Sequence, residues 1–460
     1  MPVPPHHTDP PAAAQLAPLL HDQWATEVVP RLPADLEPHA RLLKAFQRKR
    51  GVACAADLLR ALLAYVLCAR AFRQMGAWAV LLDLADLSDT AWRKRLRTAN
   101  VWLAWVLAEL LAPPPPARPP VPVPPVRGRI LLIDATRLAH PGGTGDDWRL
   151  HTAYDLLAAR LAQVTLTDQH VAEALSHFAL QPGDIAVADG GYGYRSTIAA
   201  VVQQQADGVF RIDPRTCPLE DAQGQPLDVV HWLAKEGAPI RSRAAWWRYQ
   251  GQRYAVRLVV LKLSAAAARA ARRRKRRRAQ ERGTRLSPLT LLLAGWVLLV
   301  TTLEASSWSA EDVLRLYRAR WQVELVYKRM KQVLDLNQLR SKQREVVEAT
   351  VRLLLIAWAL QEAEAAQVRV QLPHGWPTEA SVPNAEPSVV SNWLLTVVCL
   401  ETLRQQVRGQ WTQARLRAGL PRLRRFLCSR PRRRGHQETD VRTWLERRWP
   451  AAPLPQQLAA

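Results

Sequence analysis

Four polar residues, Tyr317, Arg320, Glu324 and Lys331, recur at helical spacing in a segment that must bury one face. Ser309 and Asp312 are spaced as a capping box, and no Gly or Pro interrupts residues 309–331, so one continuous helix is expected. At about 100° per residue, Arg315, Arg318, Gln322 and Arg329 gather on one side, the expected wet face. The four polar residues fall within roughly 60° of one another on the opposite side, flanked by Val313, Leu316, Trp321 and Tyr327. A carboxylate on such a face is paired or bound to a metal, because leaving it bare costs several kcal/mol. The plainer alternative is an i, i+4 ion pair between Arg320 and Glu324, which leaves Tyr317 and Lys331 unexplained. At ~1.5 Å rise per residue Lys331 lies roughly 10 Å beyond Glu324, too far to share one metal but well placed along a polyanion.

Two further carboxylates share a local pattern. Asp134 ends the apolar run Ile130-Leu131-Leu132-Ile133, and Asp189 ends Ile185-Ala186-Val187-Ala188. Each alone is as well explained as a turn or cap residue. Neighbouring strands of one sheet bring two such ends together, and a Glu from a helix at the sheet edge completes a set of three. Three converging carboxylates repel one another unless a cation is present, and Mg²⁺ is the hard ion that suits oxygen ligands and phosphate. Two such ions about 3.5–4 Å apart serve phosphoryl transfer, one activating the attacking oxygen and the other stabilising the leaving oxygen.

The spacing Tyr-x2-Arg-x3-Glu-x6-Lys, with the local text Tyr317-Arg318-Ala319-Arg320-Trp321-Gln322-Val323-Glu324, resembles the signature of the insertion-sequence-4 family of bacterial DDE transposases. The likeness covers roughly residues 128–360. It implies that Asp134, Asp189 and Glu324 are catalytic and hold two Mg²⁺ ions, with Mn²⁺ able to substitute. It also implies that Tyr317, Arg320 and Lys331 contact DNA near the transposon end, and that double-stranded DNA, both ends and target, is the partner of a homodimer that pairs the ends. Many relatives carry Arg directly after the second Asp; here Gly190 follows, and Arg195 is the candidate to replace that contact. Trp296, in an apolar strand upstream of Glu324, matches the place of a tryptophan that stacks on a flipped base in hairpin-forming relatives. Its plainer alternative is a core tryptophan.

Composition is consistent with a nucleic-acid enzyme. The chain has 460 residues, enough for two or three domains, with 64 Lys and Arg against 40 Asp and Glu, a net charge of +24. That balance favours a polyanionic partner and salt-sensitive binding. The five cysteines, Cys54, Cys68, Cys217, Cys399 and Cys428, form no C-x-x-C pair, which argues against a zinc or disulfide framework and fits a reducing cytosol. The N-terminus lacks the order of a signal peptide, and the apolar run Leu289–Leu303 is short for a membrane span and is expected to be buried strand. A cytoplasmic, nucleoid-associated bacterial protein is the expectation.

The elements needed to position these residues follow in order. Residues 1–112 have helical periodicity and form an expected N-terminal helical DNA-binding domain; Ser88-Asp89 caps a basic helix with Arg93, Lys94 and Arg95. Proline-rich 113–127 is a stiff linker. Residues 128–213 carry strands at 129–138, 150–155, 160–167, 185–188 and 209–212, with helices at 171–180 and 195–205. This order is that of the first part of an RNase H-like core. About 135 residues separate Asp189 from Glu324, which implies an insertion, 214–290, with strand-like runs and a dense basic block including Arg273, Lys275 and Arg276. That block is expected to be disordered or to contact DNA phosphates. Residues 291–365 complete the core, and 366–460 form a C-terminal helical basic region. The fold class is therefore α/β: an RNase H-like mixed-sheet catalytic core with an inserted β-rich subdomain, flanked by helical regions. Two other functions fit parts of the sequence. A tyrosine recombinase would use Tyr317 as nucleophile, but lacks the surrounding Arg and His cluster; a catalytically inactive, transposase-derived DNA-binding protein would keep the charge without the chemistry.

Overall fold

The computed structural model describes residues 23–47, 51–68, 71–82, 84–85, 87–112, 128–143, 147–235, 237–372, 389–408, 428–429 and 444. The linker 113–127 and most of the region beyond 408 lie outside them. The chain divides into two compact units: Met1–Ala112, Leu138–Gly145 and Lys328–Pro431 in one, and Pro113–Arg137, Asp146–Tyr327 and Arg432–Ala460 in the other.

The first unit begins with helices α1 (Leu36–Leu42), α2 (Ala55–Leu67), α3 (Phe72–Leu81), α4 (Asp89–Thr98) and α5 (Asn100–Leu111). The Ser88 hydroxyl accepts from the Ala91 amide at 3.3 Å and starts α4 as expected; Trp92 and Leu96, four apart, bury its inner face.

The second unit is built on one eight-stranded sheet. Its elements are β1 (Ile130–Leu138), β2 (Trp148–Asp155), β3 (Arg160–Asp168), β4 (Ile185–Ala188), α6 (Arg195–Gln203), β5 (Asp207–Arg211), α7 (Val229–Ala234), β6 (Ile240–Tyr249), β7 (Gln252–Lys262), α8 (Ala265–Glu281), α9 (Pro288–Leu293), β8 (Trp296–Thr301), α10 (Ala310–Ala319) and α11 (Trp321–Gln332). The strand order is β3-β2-β1-β4-β5-β8-β7-β6, with β1, β4 and β5 parallel and the pairs β2–β3, β5–β8, β8–β7 and β7–β6 antiparallel. The first five strands are the RNase H-like core. The inserted β6 and β7 join that core through β8, so the β-rich insertion extends the sheet instead of standing apart from it.

Several local expectations change. Residues 171–180 do not form a helix: the segment has only a 3₁₀ turn at Leu175–His177. Leu175, Phe178 and Leu180 are buried in the core, and the Ala179 and Leu180 amides donate to the side-chain amides of Gln163 and Gln204 at 2.9 and 2.8 Å. Distant glutamines thus replace helical partners, and tertiary burial overrides propensity. The run 289–303 is not one strand. Ser287 caps a turn with Pro288 at its first position, giving α9, and the strand starts only at Trp296. The basic block is neither disordered nor irregular: Ser264 caps it at the Ala267 amide, and its Ala, Arg and Lys residues, good helix formers, make the 17-residue α8.

The continuous helix expected over 309–331 is two. The capping box forms, with Ser309 and Asp312 exchanging hydrogen bonds of 3.1 and 3.2 Å. At Arg320 the ladder tightens to three-residue spacing, Arg320 N–H to Tyr317 O and Val323 N–H to Arg320 O, and α11 starts afresh. Arg315 and Arg318 stay exposed, but Gln322 and Arg329 are 3% and 7% exposed instead of wet.

Two helices return to the first unit, α12 (Arg344–Gln371) and α13 (Asn392–Arg408). The expected division at residue 365 falls inside α12, and the N- and C-terminal helical regions do not form separate domains where they are described. The reason is that α12 is apolar around most of its surface, Trp358 included, and finds cover from α2, α5 and α13. Arg31 ties the unit further, donating to Glu364 at 3.1 Å and Gln406 at 3.0 Å. Among the described residues no helix is long and apolar enough to cross a membrane.

Candidate active site

The site starts from a pin at the other end of the strands. Asp184, almost fully buried, accepts from the Arg129 backbone amide at 2.8 Å and pairs with its guanidinium at 2.6 Å. Gly128 leaves room for this, since a Cβ there would lie 2.7 Å from the Asp184 amide. The pin sets the parallel register Ile130 to Ile185 through Ile133 to Ala188, so the next residues, Asp134 and Asp189, stand side by side where the pairing of β1 with β4 stops.

Helices α10 and α11 deliver the third carboxylate. Arg320, at their junction, donates to Asp134 Oδ2 at 3.2 Å and to Glu324 Oε1 at 2.7 Å. The i, i+4 pair weighed from sequence is therefore present, but as half of a bridge between two carboxylates. Tyr327 donates to the Asp134 carbonyl at 2.7 Å and accepts from the Thr152 hydroxyl at 2.6 Å, fixing α11 against β1 and β2. Asp189 accepts from the Gly191 amide at 2.7 Å in the turn that follows β4. Burial pushes Asp134 up to about 7; the Arg320 cation and the Ala135 amide oppose this, while the charges of Asp189 and Glu324 add to it.

Beside Asp189 opens a cavity of about 460 Å³ whose walls include Tyr317, Arg320, Trp296 and, from α8, Arg274, Lys275 and Arg278. Trp296 is 9% exposed, with Arg241 and Lys262 set 5.4 and 5.9 Å from its ring centre, so it is a core tryptophan with one side on the cavity. Arg273 and Arg276 are exposed on α8 but do not line this cavity, and neither does Arg195, at the start of α6. Near the glycine that follows Asp189, Arg211 and Arg215 line the wall instead. Lys331 is half-buried, with its ammonium held below the usual lysine range by burial; it belongs with Arg93 and Arg95 to the other unit. Arg95 is likewise lowered by burial, and Arg93 lies 5.9 Å from the Phe72 ring.

Sequence reasoning missed Glu173, Tyr192, Tyr327, Arg274 and Arg278. For the last two the signal was available: reading the basic block as a helix puts 274, 275 and 278 on one face. The donor chemistry fits a divalent cation: hard carboxylate oxygens, partly buried, with Asp134 and Glu324 sharing Arg320 and the charges of Asp189 and Glu324 acting on Asp134. Among the described residues no three acidic, His or Cys side chains already stand at the spacing of a single ion.

A mixed sheet with this strand order, with Asp134 in β1 where its pairing with β4 stops and Asp189 just past β4, defines an RNase H-like core. A profile of the family described as the transposase DDE domain matches residues 126–360. The chain is 34% identical over 346 residues to the putative transposase InsL for insertion sequence element IS186A of Escherichia coli (strain K12), covering 73% of this chain and 92% of that one. It is also 34% identical over 347 residues to the transposase for insertion sequence element IS421 of Escherichia coli, with the same coverage. The chain belongs to the DDE transposases of bacterial insertion sequences.

Proposed function

We propose that this transposase binds the terminal inverted repeats of its element, cleaves the DNA there and joins the 3′-hydroxyls to target DNA by two-metal chemistry. The observation that carries the reading is the side-by-side position of Asp134 and Asp189 where the pairing of two parallel strands stops, with Glu324 tied to Asp134 through Arg320. Asp134, Asp189 and Glu324 would hold Mg²⁺, or Mn²⁺ in its place, which when bound activates the attacking oxygen and stabilises the leaving one. The protein's part is positioning. Arg274, Lys275, Arg278 and Arg320 offer cations to phosphate along the cavity beside Asp189, and Tyr317 and Trp296 give it aromatic walls. Arg273, Arg276 and Arg195 are outer phosphate contacts, and Lys331, Arg93 and Arg95 are DNA contacts of the helical unit. A homodimer pairs the two ends, and the protein works in the cytoplasm on nucleoid DNA.

The test is a strand-transfer assay on labelled end fragments in Mg²⁺. Asp134→Asn, Asp189→Asn and Glu324→Gln should each lower strand transfer by about 10³-fold with end binding kept. Any of the three with wild-type transfer overturns the role of that residue. A wild-type protein that binds ends but never cuts them would be the catalytically inactive alternative.

A further inference from the structure

Glu173 sits on the irregular connection between β3 and β4 and has no role in the set of three carboxylates described above. Its Oε2 atom and Asp189 Oδ1 lie 2.3 and 3.0 Å from one point, the place a Cβ would occupy on Gly191. The two oxygens are thus within about 5 Å of each other, and glycine at 191 is what leaves them that room. Among the described residues Arg149 pairs with Glu173 at 4.0 Å, with its Nη1 committed to the Val171 carbonyl at 2.7 Å, and the Arg137 charge also acts on this carboxyl.

A second observation comes from Tyr192. Its side chain is fully buried, and its hydroxyl has no hydrogen-bond partner in the structure. A buried hydroxyl without a partner is costly, and native proteins keep few of them. The charges that act on this hydroxyl are those of Glu173, Asp134 and Asp189, opposed by the Arg149 cation. An orphan donor and two close like charges call for the same thing, a cation that brings water with it.

We propose that Glu173 is a fourth carboxylate of this centre, a positioning residue that with the Tyr192 hydroxyl holds a hydrated divalent cation against Asp189. The inference rests on the two-metal reading above and goes beyond it by giving the Asp189 side its own outer wall. Outer groups of this kind set metal affinity by roughly 10- to 100-fold.

The experiment is a titration of the full-length protein with Mn²⁺ alone, reading free Mn²⁺ by electron paramagnetic resonance, with thermal melting as the check on folding. Glu173→Gln should weaken Mn²⁺ binding about tenfold and Tyr192→Phe by a smaller factor, both with melting temperatures at or above that of the wild type. Glu173→Asp, which keeps the charge, should recover most of the affinity, and it serves also if the Gln variant does not fold. Glu173→Gln binding Mn²⁺ within twofold of wild type, while Asp189→Asn loses it, overturns the proposal and leaves the two-metal reading standing. Wild-type Mn²⁺ binding by Asp189→Asn overturns that reading itself.

Discussion

The apolar runs of β1 and β4 are each closed by an aspartate, Asp134 within β1 where its pairing with β4 stops and Asp189 just past β4, yet the two present different surroundings. Asp134 is held from several sides: Arg320 on its carboxylate, the Ala135 amide at 2.8 Å and Tyr327 on its carbonyl. Asp189 accepts from the amide of a glycine turn, faces the basic cavity and has a second carboxylate, Glu173, close by. Asp134 is paired with a cation of its own, Arg320, whereas Asp189 shares its surroundings with Glu173 and with the cations that line the cavity. The difference teaches that a strand-end aspartate acquires its chemistry from the elements delivered to it, here α10 and α11 on one side and the β3–β4 connection on the other.

The strongest way to break this comparison is to remove the pin beneath both ends. Asp184→Ala leaves Arg129 without its partner and four donors, the amides of Arg129 and Gln181 and two guanidinium nitrogens of Arg129, without an acceptor. Losing one partner of a buried pair should destabilise the second unit by about 3 kcal/mol, read as a shift in urea midpoint. A change below ~1 kcal/mol would mean that the register holds without it. Next in size is the cavity on the Asp189 side. Replacing Arg274, Lys275 and Arg278 together by Ala should weaken end binding roughly ten- to a hundredfold near physiological salt and reduce the salt slope by about 2.7. Replacing Arg273 and Arg276, outside the cavity, should change the slope less; equal effects would show that α8 binds DNA without facing the site.

Much of the first comparison was legible in sequence because strands and caps are local. The runs ending at Asp134 and Asp189 alternate with turn residues, and Ser309 with Asp312 announces its helix start. The junction at Arg320 was not legible. No Gly or Pro marks it, and Arg320 keeps helical angles, φ −49 and ψ −32; only the hydrogen-bond spacing changes. Beyond it Gln322 and Arg329 are buried, with Arg329 donating to the Asn392 carbonyl at 3.2 Å. Glu173 was hidden for the opposite reason: Val171–Leu180 looks helical on its own, and only Gln163 and Gln204, distant in sequence, decide otherwise. Nor does anything local show that β6 and β7 add to the core sheet, since that follows from pairing with β8.

Arg320→Gln separates the two ends directly. Without the guanidinium, Asp134 and Glu324 lose their shared counter-charge, so an external cation should be bound more tightly in the absence of DNA. Mn²⁺ affinity is expected to rise by about tenfold, or ~1.4 kcal/mol, while end binding falls because a phosphate contact is lost. The gain should vanish in an Arg320→Gln, Glu324→Gln double variant but persist with Glu173→Gln. Unchanged Mn²⁺ binding in Arg320→Gln would mean that this arginine does not compete for the carboxylates.

The smallest effect concerns the strands that flank the two ends. On the Asp134 side β2 carries His151, fully buried and held down to about 4, first by burial and then by His177 and Arg149. On the Asp189 side β5 has no buried titratable group: Asp207 is half-buried and Arg211 exposed. A histidine lowered in the folded state takes its proton more readily when unfolded, so stability is complete above its ordinary value of 6.5 and is lost as the pH falls from there toward 4. Between pH 7 and pH 6 the loss is about 0.7 kcal/mol, small but measurable from urea midpoints. His151→Gln should flatten that slope, whatever it does to stability at pH 8. If the slope survives the substitution, acid acts first elsewhere, and the β2 flank of Asp134 is no more pH-sensitive than the β5 flank of Asp189.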